Sequence, residues 1–227
     1  MDEATRVARL REAQSLARQL FDAISETGLI RPGVSEREVS DEIKVLAAER
    51  LGVDRHWHKR VIRAGSNALF PYHANPPERT IAANDIVYAD LGPIFGDWEA
   101  DFGRTYVLGE DPDKLRLRDT LPVVFDAGRA HFEASPDITG EQLFDFMVAE
   151  GARHGWAWGG TIAGHLVGEF PHDLADGDAD FSRITPGNDR SMRGLDSAGN
   201  VCHWILEVHL VDRDLEIGGF YEELLDL

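Results

Sequence analysis

Apolar residues recur at helical spacing near the N-terminus of the chain. Between residues 4 and 27 they define one face of a predicted helix, formed by Val7, Leu10, Leu16, Leu20, Phe21 and Ile24. Gly28 and the following Pro-Gly pair end this helix. Ser35-Glu-Arg-Glu38 has the pattern of a capping box, so a second helix is predicted to about residue 50. Both helices are expected to serve packing.

Helix and strand patterns alternate through the rest of the chain. The predicted elements are a strand over 56–64, a turn at 65–67, a hairpin around 86–107, helices over about 111–133 and 139–154, a strand-like piece ending near 170, a loop over 174–200, and strands at about 203–211 and 217–225. No linker separates these elements. A single domain over 1–227 is therefore predicted, with N-terminal helices in 1–55, a core in 56–227 and a coarse internal repeat of helices followed by strands.

Two aspartates lie on the arms of the predicted hairpin. Asp90 ends one apolar run and Asp101 begins the next, and the turn-forming residues Gly92, Pro93 and Gly96 lie between them. Pairing of the arms can bring both carboxylates to one face. Burying a bare charge among apolar neighbours is costly, so these carboxylates need a partner. A divalent cation is one such partner.

Further ionisable side chains occur in apolar segments later in the chain. His165 and His172 lie seven residues apart, a spacing that places them on opposite faces of an extended chain unless it bends. Glu207 lies within an apolar strand, and Glu222 and Glu223 lie within the last one. Neighbouring strand residues face opposite ways, so only one of these last two glutamates is expected to join the others in a carboxylate-rich metal site.

Composition and charge narrow the class of protein. The 43% of hydrophobic residues among 227 allow a substantial core. The net charge of −18 argues against nucleic acid and anionic membranes as partners. Cys202 is the only cysteine, so no intramolecular disulfide can form, which fits a reducing setting. Without a signal-like or membrane-spanning pattern, a cytoplasmic protein is expected.

The ordered motifs resemble those of a known family. Asp90, then Asp101-x-x-Arg-Thr, then Gly-His165-x-x-Gly with His172, then Ile-Leu-Glu207 and finally Tyr-Glu222-Glu are similar to the motifs of the pita-bread metallopeptidases. That family includes methionine aminopeptidase, aminopeptidase P, prolidase and creatinase. The resemblance implies an α/β (α+β) pita-bread fold, which is a curved, mostly antiparallel sheet with outer helices and pseudo-two-fold symmetry.

The resemblance also implies a dinuclear metal site. Asp90 would bind one ion, Asp101 and Glu222 would bridge both, and His165 and Glu207 would bind the other. This oxygen-rich set suits manganese, iron, cobalt or zinc and does not choose among them.

In the implied reaction, a hydroxide that bridges the two metals attacks a carbonyl carbon. Glu207 would carry the proton to the leaving amine, and His172 would donate a hydrogen bond to the substrate oxygen.

The residues expected to bind substrate differ from the family pattern. The family has a histidine after a Gly-x-Asn turn, but here Tyr72 stands at that place and His73 follows. Either a local bulge brings His73 to the site or Tyr72 acts through its hydroxyl. His56 and His58 share one face of the predicted 56–64 strand and form either a polar strand end or a pocket wall. Trp98, near the hairpin tip, is a further candidate for that wall.

The expected function is hydrolysis of peptide-like amide bonds. An aminopeptidase or dipeptidase is predicted, with Xaa-Pro specificity as one form, and we expect the catalytic domain alone, without the N-terminal domain of aminopeptidase P and prolidase. The alternative is a hydrolase or lyase of non-peptide small molecules on the same scaffold. A non-catalytic binding protein would predict loss of the ligand residues, and none is lost. The expected partners are a small peptide or small molecule, and a homodimer fits the family.

Overall fold

A computed structural model of the chain describes residues 1–171, 181–196 and 198–227. The helices are α1 (Glu3–Thr27), α2 (Glu36–Leu51), α3 (Pro112–Ala134) and α4 (Gly140–Arg153), with a short 3-10 helix at Gly65–Leu69. The strands are β1 (Val61–Ala64), β2 (Ile86–Leu91), β3 (Ile94–Phe95), β4 (Trp98–Glu99), β5 (Phe102–Val107), β6 (Ala157–Trp158), β7 (Gly164–Val167), β8 (His203–Asp212) and β9 (Ile217–Leu224). The predicted helices and closing strands are present.

Local signals in the sequence fix the helix ends. Ser35 forms the predicted capping box at the start of α2, and Thr139 forms another at the start of α4. Asp111 accepts hydrogen bonds from the first-turn amides of α3. The helices α1 and α2 end at Gly28 and Gly52, whose left-handed backbone suits a residue without a side chain.

The main sheet is antiparallel and has two related halves. Its order is β1-β2-β5-β9-β8-β6, and β7 also pairs with β8. One half therefore consists of β1, β2 and β5, and the other consists of β7, β8 and β9. The halves meet where β5 pairs with β9. This arrangement confirms the predicted class of fold and its pseudo-two-fold symmetry.

Each half of the sheet is covered by its own helices. Apolar residues of α1 and α2 form one core with β2 and β5, and residues of α3 and α4 form another with β8. A smaller cluster of Val61, Ala68, Tyr88 and Phe220 lies beside the polar centre. The helices thus bury apolar surface away from the ionisable side chains. No helix in the described part of the chain has the length and apolar character needed to cross a membrane.

The first strand is shorter than predicted. β1 begins at Val61, whereas residues 57–60 are not strand and His56 makes only an isolated pairing with Pro93. The backbone amide of Trp57 donates to the carbonyl of Gly92, 2.9 Å away, in the loop that follows β2. With the bond from Ile94 N to the carbonyl of Arg55, 3.1 Å away, it holds residues 55–57 beside this loop, and residues 57–60 interrupt the sheet ladder. The prediction that residues 56–60 continue the strand is therefore wrong.

A buried histidine joins the two ends of the described chain. His203, which is 4% exposed, has Nε2 2.7 Å from Glu3 Oε1 and Nδ1 2.9 Å from Asp226 Oδ2. Burial lowers the pKa of His203, but the two carboxylates outweigh it and raise the pKa above its ordinary value. The charged imidazolium therefore ties the start of α1 to the residues after β9.

We predict that His203→Gln destabilises the fold in a pH-dependent way. Because folding raises the pKa of His203, its charge stabilises the protein fully below the unfolded pKa of about 6.5 and less as the pH rises through the folded value. The loss in free energy of unfolding should be about 2 kcal/mol at pH 6 and clearly smaller at pH 9, measured by urea denaturation. An equal loss at both pH values would contradict the charge-based account.

Candidate metal centre

Strand pairing brings the predicted ligand residues together. Asp90 lies on β2, and Asp101 lies just before β5, the antiparallel partner of β2. Glu207 on β8 lies directly opposite Glu222 on β9. His165 lies on β7, next to β8. Two carboxylates directly opposite each other destabilise a sheet unless a positive charge lies between them.

Distances between the side chains define two overlapping groups. His165 Nε2 is 3.1 Å from Asp101 Oδ2, 3.8 Å from Glu207 Oε1 and 3.9 Å from Glu222 Oε1. The remaining oxygen of Asp101, Oδ1, is 3.1 Å from His58 Nε2. Donor atoms within 4.8 Å of one another form the groups His58, Asp90, Asp101 and Asp101, His165, Glu222. Asp101 belongs to both groups.

The ionisation of these groups shows how crowded the negative charge is. Burial and the charge of Asp101 raise the pKa of Asp90 to about 8, although His58 opposes the shift. Burial and the charge of Asp101 also raise the pKa of Glu207 to about 7. Burial, Asp101 and Asp90 raise the pKa of Glu222 well above its ordinary value. These three carboxyl groups therefore hold a proton more tightly than an ordinary carboxyl group does.

Asp101 behaves differently from the other carboxylates. Burial raises its pKa, but the charge of His58 and the hydrogen bonds from His165 and His58 outweigh burial and lower the pKa below its ordinary value. The two imidazoles show the opposite effect. Burial lowers the pKa of His58 and of His165, but Asp101, with Asp90 and Glu207, raises both to about 9. The two imidazoles therefore compensate part of the negative charge of the cluster.

The donor set fits divalent cations. Glu222 Oε2 is buried and has no hydrogen-bond partner among the described residues, so this oxygen is free to accept a cation. Carboxylate oxygens with imidazole nitrogens are the donors that manganese, iron, cobalt and zinc accept.

Adjacent residues on β9 face opposite ways. Glu222 points to the cluster, whereas Glu223 is held by the guanidinium groups of Arg104 and Arg129 and by the hydroxyl of Tyr221. Glu223 therefore points away from the cluster, and its charge is paired with these two arginines. Of the two alternatives that the sequence left open, the structure brings Glu222 to the cluster.

A cavity of about 360 Å³ opens above the cluster. Its floor is formed by the ligand residues named above. Tyr72 and His73 both line it, so the structure brings both of these alternatives to the cavity. The ring of Tyr72 lies edge-on to His58, with 5.6 Å between the ring centres.

Two residues predicted for the pocket wall lie elsewhere. Neither His56 nor Trp98 is among the described residues that line the cavity. The bend at Trp57 turns His56 away, and the β3–β4 hairpin packs Trp98 against the core formed with α1. Trp98 lines a separate hollow of about 490 Å³. His172 lies outside the described residues, so its predicted role stays a prediction.

Two cavity residues were missed by the sequence reasoning. His209 lies two residues after Glu207 on β8, so strand alternation could have placed both on one face. Its Nε2 donates to the carbonyl of Ala68, 2.9 Å away, and burial lowers its pKa to about 4, so the ring is neutral. Arg183 also lines the cavity, but it comes from an irregular segment that carries no periodic signal.

The sheet and its buried centre together define a pita-bread protein with a candidate metal site. The family model of metallopeptidase family M24 matches residues 8–206. The chain belongs to this family.

The relatives that match this chain are longer than it is. A Xaa-Pro dipeptidase of Lactobacillus helveticus is 30% identical over 172 residues, which cover 74% of this chain and 42% of that protein. A prolidase structure from Thermococcus sibiricus covers 100% of this chain and 57% of that chain, with a TM-score of 0.74 and 19% identity. An X-Pro aminopeptidase structure from Thermotoga maritima has a TM-score of 0.73 at 17% identity, covering 99% of this chain and 59% of that chain. These structural likenesses establish the fold.

We predict opposite effects for substitutions of the two adjacent glutamates. Glu222→Gln removes one of four crowded charges, so the metal-free protein should be as stable as the wild type or more stable, and the stabilisation by added Co²⁺ should shrink. In the wild type that stabilisation should reach about 2.7 kcal/mol at 100 times the dissociation constant. Thermal unfolding with and without Co²⁺ measures both quantities.

Glu223→Gln is the matched control for Glu222→Gln. It leaves the guanidinium groups of Arg104 and Arg129 without their carboxylate, so it should cost about 2–3 kcal/mol of stability and preserve the effect of Co²⁺. If Glu222→Gln kept the full Co²⁺ effect, Glu222 would not be a ligand.

Proposed function

We propose that this chain is a divalent-metal-dependent hydrolase of short peptides and acts as an Xaa-Pro dipeptidase. The observation that carries the proposal is the set of four buried carboxylates and two imidazoles on the floor of a cavity of about 360 Å³. This volume lies near the lower end of the roughly 300–1,000 Å³ range of ligand pockets, which suits a small peptide. The named functions of the relatives in the family agree with this class of substrate.

The ligand residues would hold the cations in two linked groups. Asp90 would bind one ion, His165 and Glu207 would bind the other, and Asp101 and Glu222 would join the two. A bound pair of divalent cations supplies an activated water and polarises a carbonyl oxygen. The four negative charges of these carboxylates would then be balanced by the four positive charges of the cations.

Glu207 would be the group that moves a proton. Its Oε1 lies 3.8 Å from His165 Nε2, and its side chain lines the cavity. From this position Oε1 would accept a proton from the attacking water and return it to the leaving nitrogen. His73 or Tyr72, on the cavity wall, would donate a hydrogen bond to the substrate oxygen.

The cavity walls favour an apolar ring next to a carboxylate. Tyr88 and Phe220 lie with their ring centres 5.4 Å apart, and together with Pro71 and Ile162 they contribute apolar surface to the cavity lining. Such a surface would accept the pyrrolidine ring of a proline residue. Arg183 adds a positive charge to the lining and would bind the C-terminal carboxylate of a dipeptide.

Arg183 is held next to the candidate metal ligands. Its backbone forms an isolated antiparallel pairing with His165, and its charge opposes part of the rise in the pKa of Glu207 that burial causes. A guanidinium in the lining beside the proposed proton-moving carboxylate would limit the length of peptide that the cavity accepts.

We expect Co²⁺- or Mn²⁺-loaded protein to hydrolyse Xaa-Pro dipeptides such as Ala-Pro. The same assay should include Met-Ala peptides and non-peptide amides, and release of amine is measured for each. Chelator should abolish turnover and added metal should restore it. If only the non-peptide amides were hydrolysed, the alternative of a small-molecule hydrolase would replace the dipeptidase proposal.

We predict that Arg183→Met weakens dipeptide hydrolysis selectively. Loss of a charge-assisted hydrogen bond, worth about 1.5–3 kcal/mol, should lower kcat/KM by about 10- to 100-fold, mainly through KM. The dipeptide amide, which lacks the carboxylate, should be little affected. Arg190→Met is the matched control, because Arg190 lies over the ring of Phe181 and does not line the cavity in the described chain. Equal losses on both substrates would exclude carboxylate recognition by Arg183.

A further inference from the structure

His58 lies inside the candidate metal centre. Its Nε2 is 3.1 Å from Asp101 Oδ1 and 3.5 Å from Asp90 Oδ1, and its side chain is 5% exposed. Two donors that share one cation, each about 2.1 Å from it, lie roughly 3.0–3.4 Å apart for angles near 90–110°. The separations around His58 are close to that range.

The imidazole of His58 is oriented as a ligand. Its Nδ1 lies 2.7 Å from the carbonyl oxygen of Lys59, and a nitrogen in that position must donate its proton. This bond directs the lone pair of the neutral ring to Nε2, which faces the carboxylates. His165 has the same arrangement, with Nδ1 2.7 Å from the carbonyl oxygen of Leu166. Backbone carbonyls commonly orient metal-binding histidines in this way.

His58 and His165 share one carboxylate, that of Asp101. The two-fold relation of the sheet matches β2 with β8 and β5 with β9. Asp90 on β2 thereby corresponds to Glu207 on β8. His165 lies on β7, whereas His58 lies in the segment just before β1. Each imidazole contacts one oxygen of the shared Asp101.

The chain makes room for His58 at this position. A side chain on Gly92 would place its first carbon 2.2 Å from a ring carbon of His58, so only glycine allows this approach. Trp57 fixes the same bend, because its indole Nε1 donates to the carbonyl of Ala100, 3.2 Å away. The position of His58 is therefore built by its neighbours.

We propose that His58 is a sixth protein ligand of the metal centre and binds, through Nε2, the cation held by Asp90 and Asp101. This inference rests on the proposed metal-dependent function and adds to the five ligands of that proposal. Each cation then receives one imidazole and several carboxylate oxygens. A second nitrogen donor moves the preference of the site from manganese toward cobalt, iron and zinc.

Co²⁺ binding to chelator-treated protein tests the proposal without measuring activity. Isothermal titration gives the number of ions and their affinities, and the visible absorption of bound Co²⁺ reports its ligands. Wild type should bind two ions, and His58→Ala should weaken one binding event by about 100-fold and alter the absorption. Free imidazole should restore part of that affinity. His56→Ala is the matched control and should bind as wild type does, because His56 lies outside the cavity lining in the described chain.

Two outcomes separate the role of His58 from the proposed function. If wild type binds two ions and His58→Ala matches it in affinity and absorption, the role of His58 is overturned and the proposed function stands. If wild type binds no Co²⁺, both are overturned.

A measurement on unsubstituted protein covers the case in which His58→Ala fails to fold. In ¹⁵N NMR of histidine-labelled wild type, Zn²⁺ should shift the Nε2 resonances of both His58 and His165, whereas a shift of His165 alone would contradict the proposal.

Discussion

The arrangement of this protein depends on the compensation of buried negative charge. Asp90, Asp101, Glu207 and Glu222 lie at the centre of the sheet, where burial and mutual repulsion raise the pKa of three of them. A carboxylate in such a place must either take up a proton or face a positive partner. The imidazoles on either side of Asp101 meet only part of this need. Divalent cations would meet the rest, so the same constraint links stability and chemistry.

The pseudo-two-fold sheet explains why so many charges converge. Each half contributes an outer strand, a second strand and an inner strand, and the two inner strands, β5 and β9, pair with each other. The helices cover the outer face of each half and bury its apolar residues. Adjacent side chains on β9 point to opposite faces of the sheet and therefore have different partners. Glu222 faces the site, and Glu223 joins Arg104 and Arg129 on the other side to hold the fold.

The sequence predicts the carboxylate cluster better than the walls of the cavity. Helix caps, the aspartate hairpin and the apolar strands around Glu207 and Glu222 all carry local signals, so these elements could be predicted. Alternation showed that only one of the last two glutamates can face the site. It could not show which, because that depends on long-range contacts such as the one between Arg104 and Glu223. Trp98 shows the same limit, since its burial depends on packing against α1.

His58 shows how a local bend can change the role of a residue. The pattern of residues 56–64 favours a strand, in which His56 and His58 would share a face. The backbone bonds from Trp57 to Gly92 and from Ile94 to Arg55 hold this segment outside the strand, and of the two histidines only His58 reaches the carboxylates. No local sequence pattern predicts such a backbone hydrogen bond, because its donor and acceptor lie far apart in the sequence. The strands thus carry most of the candidate ligands, while the bend and loops supply His58, Tyr72 and the charge of Arg183 in the cavity lining. Loops change more readily than sheets, so substrate choice can vary while the carboxylate framework stays fixed.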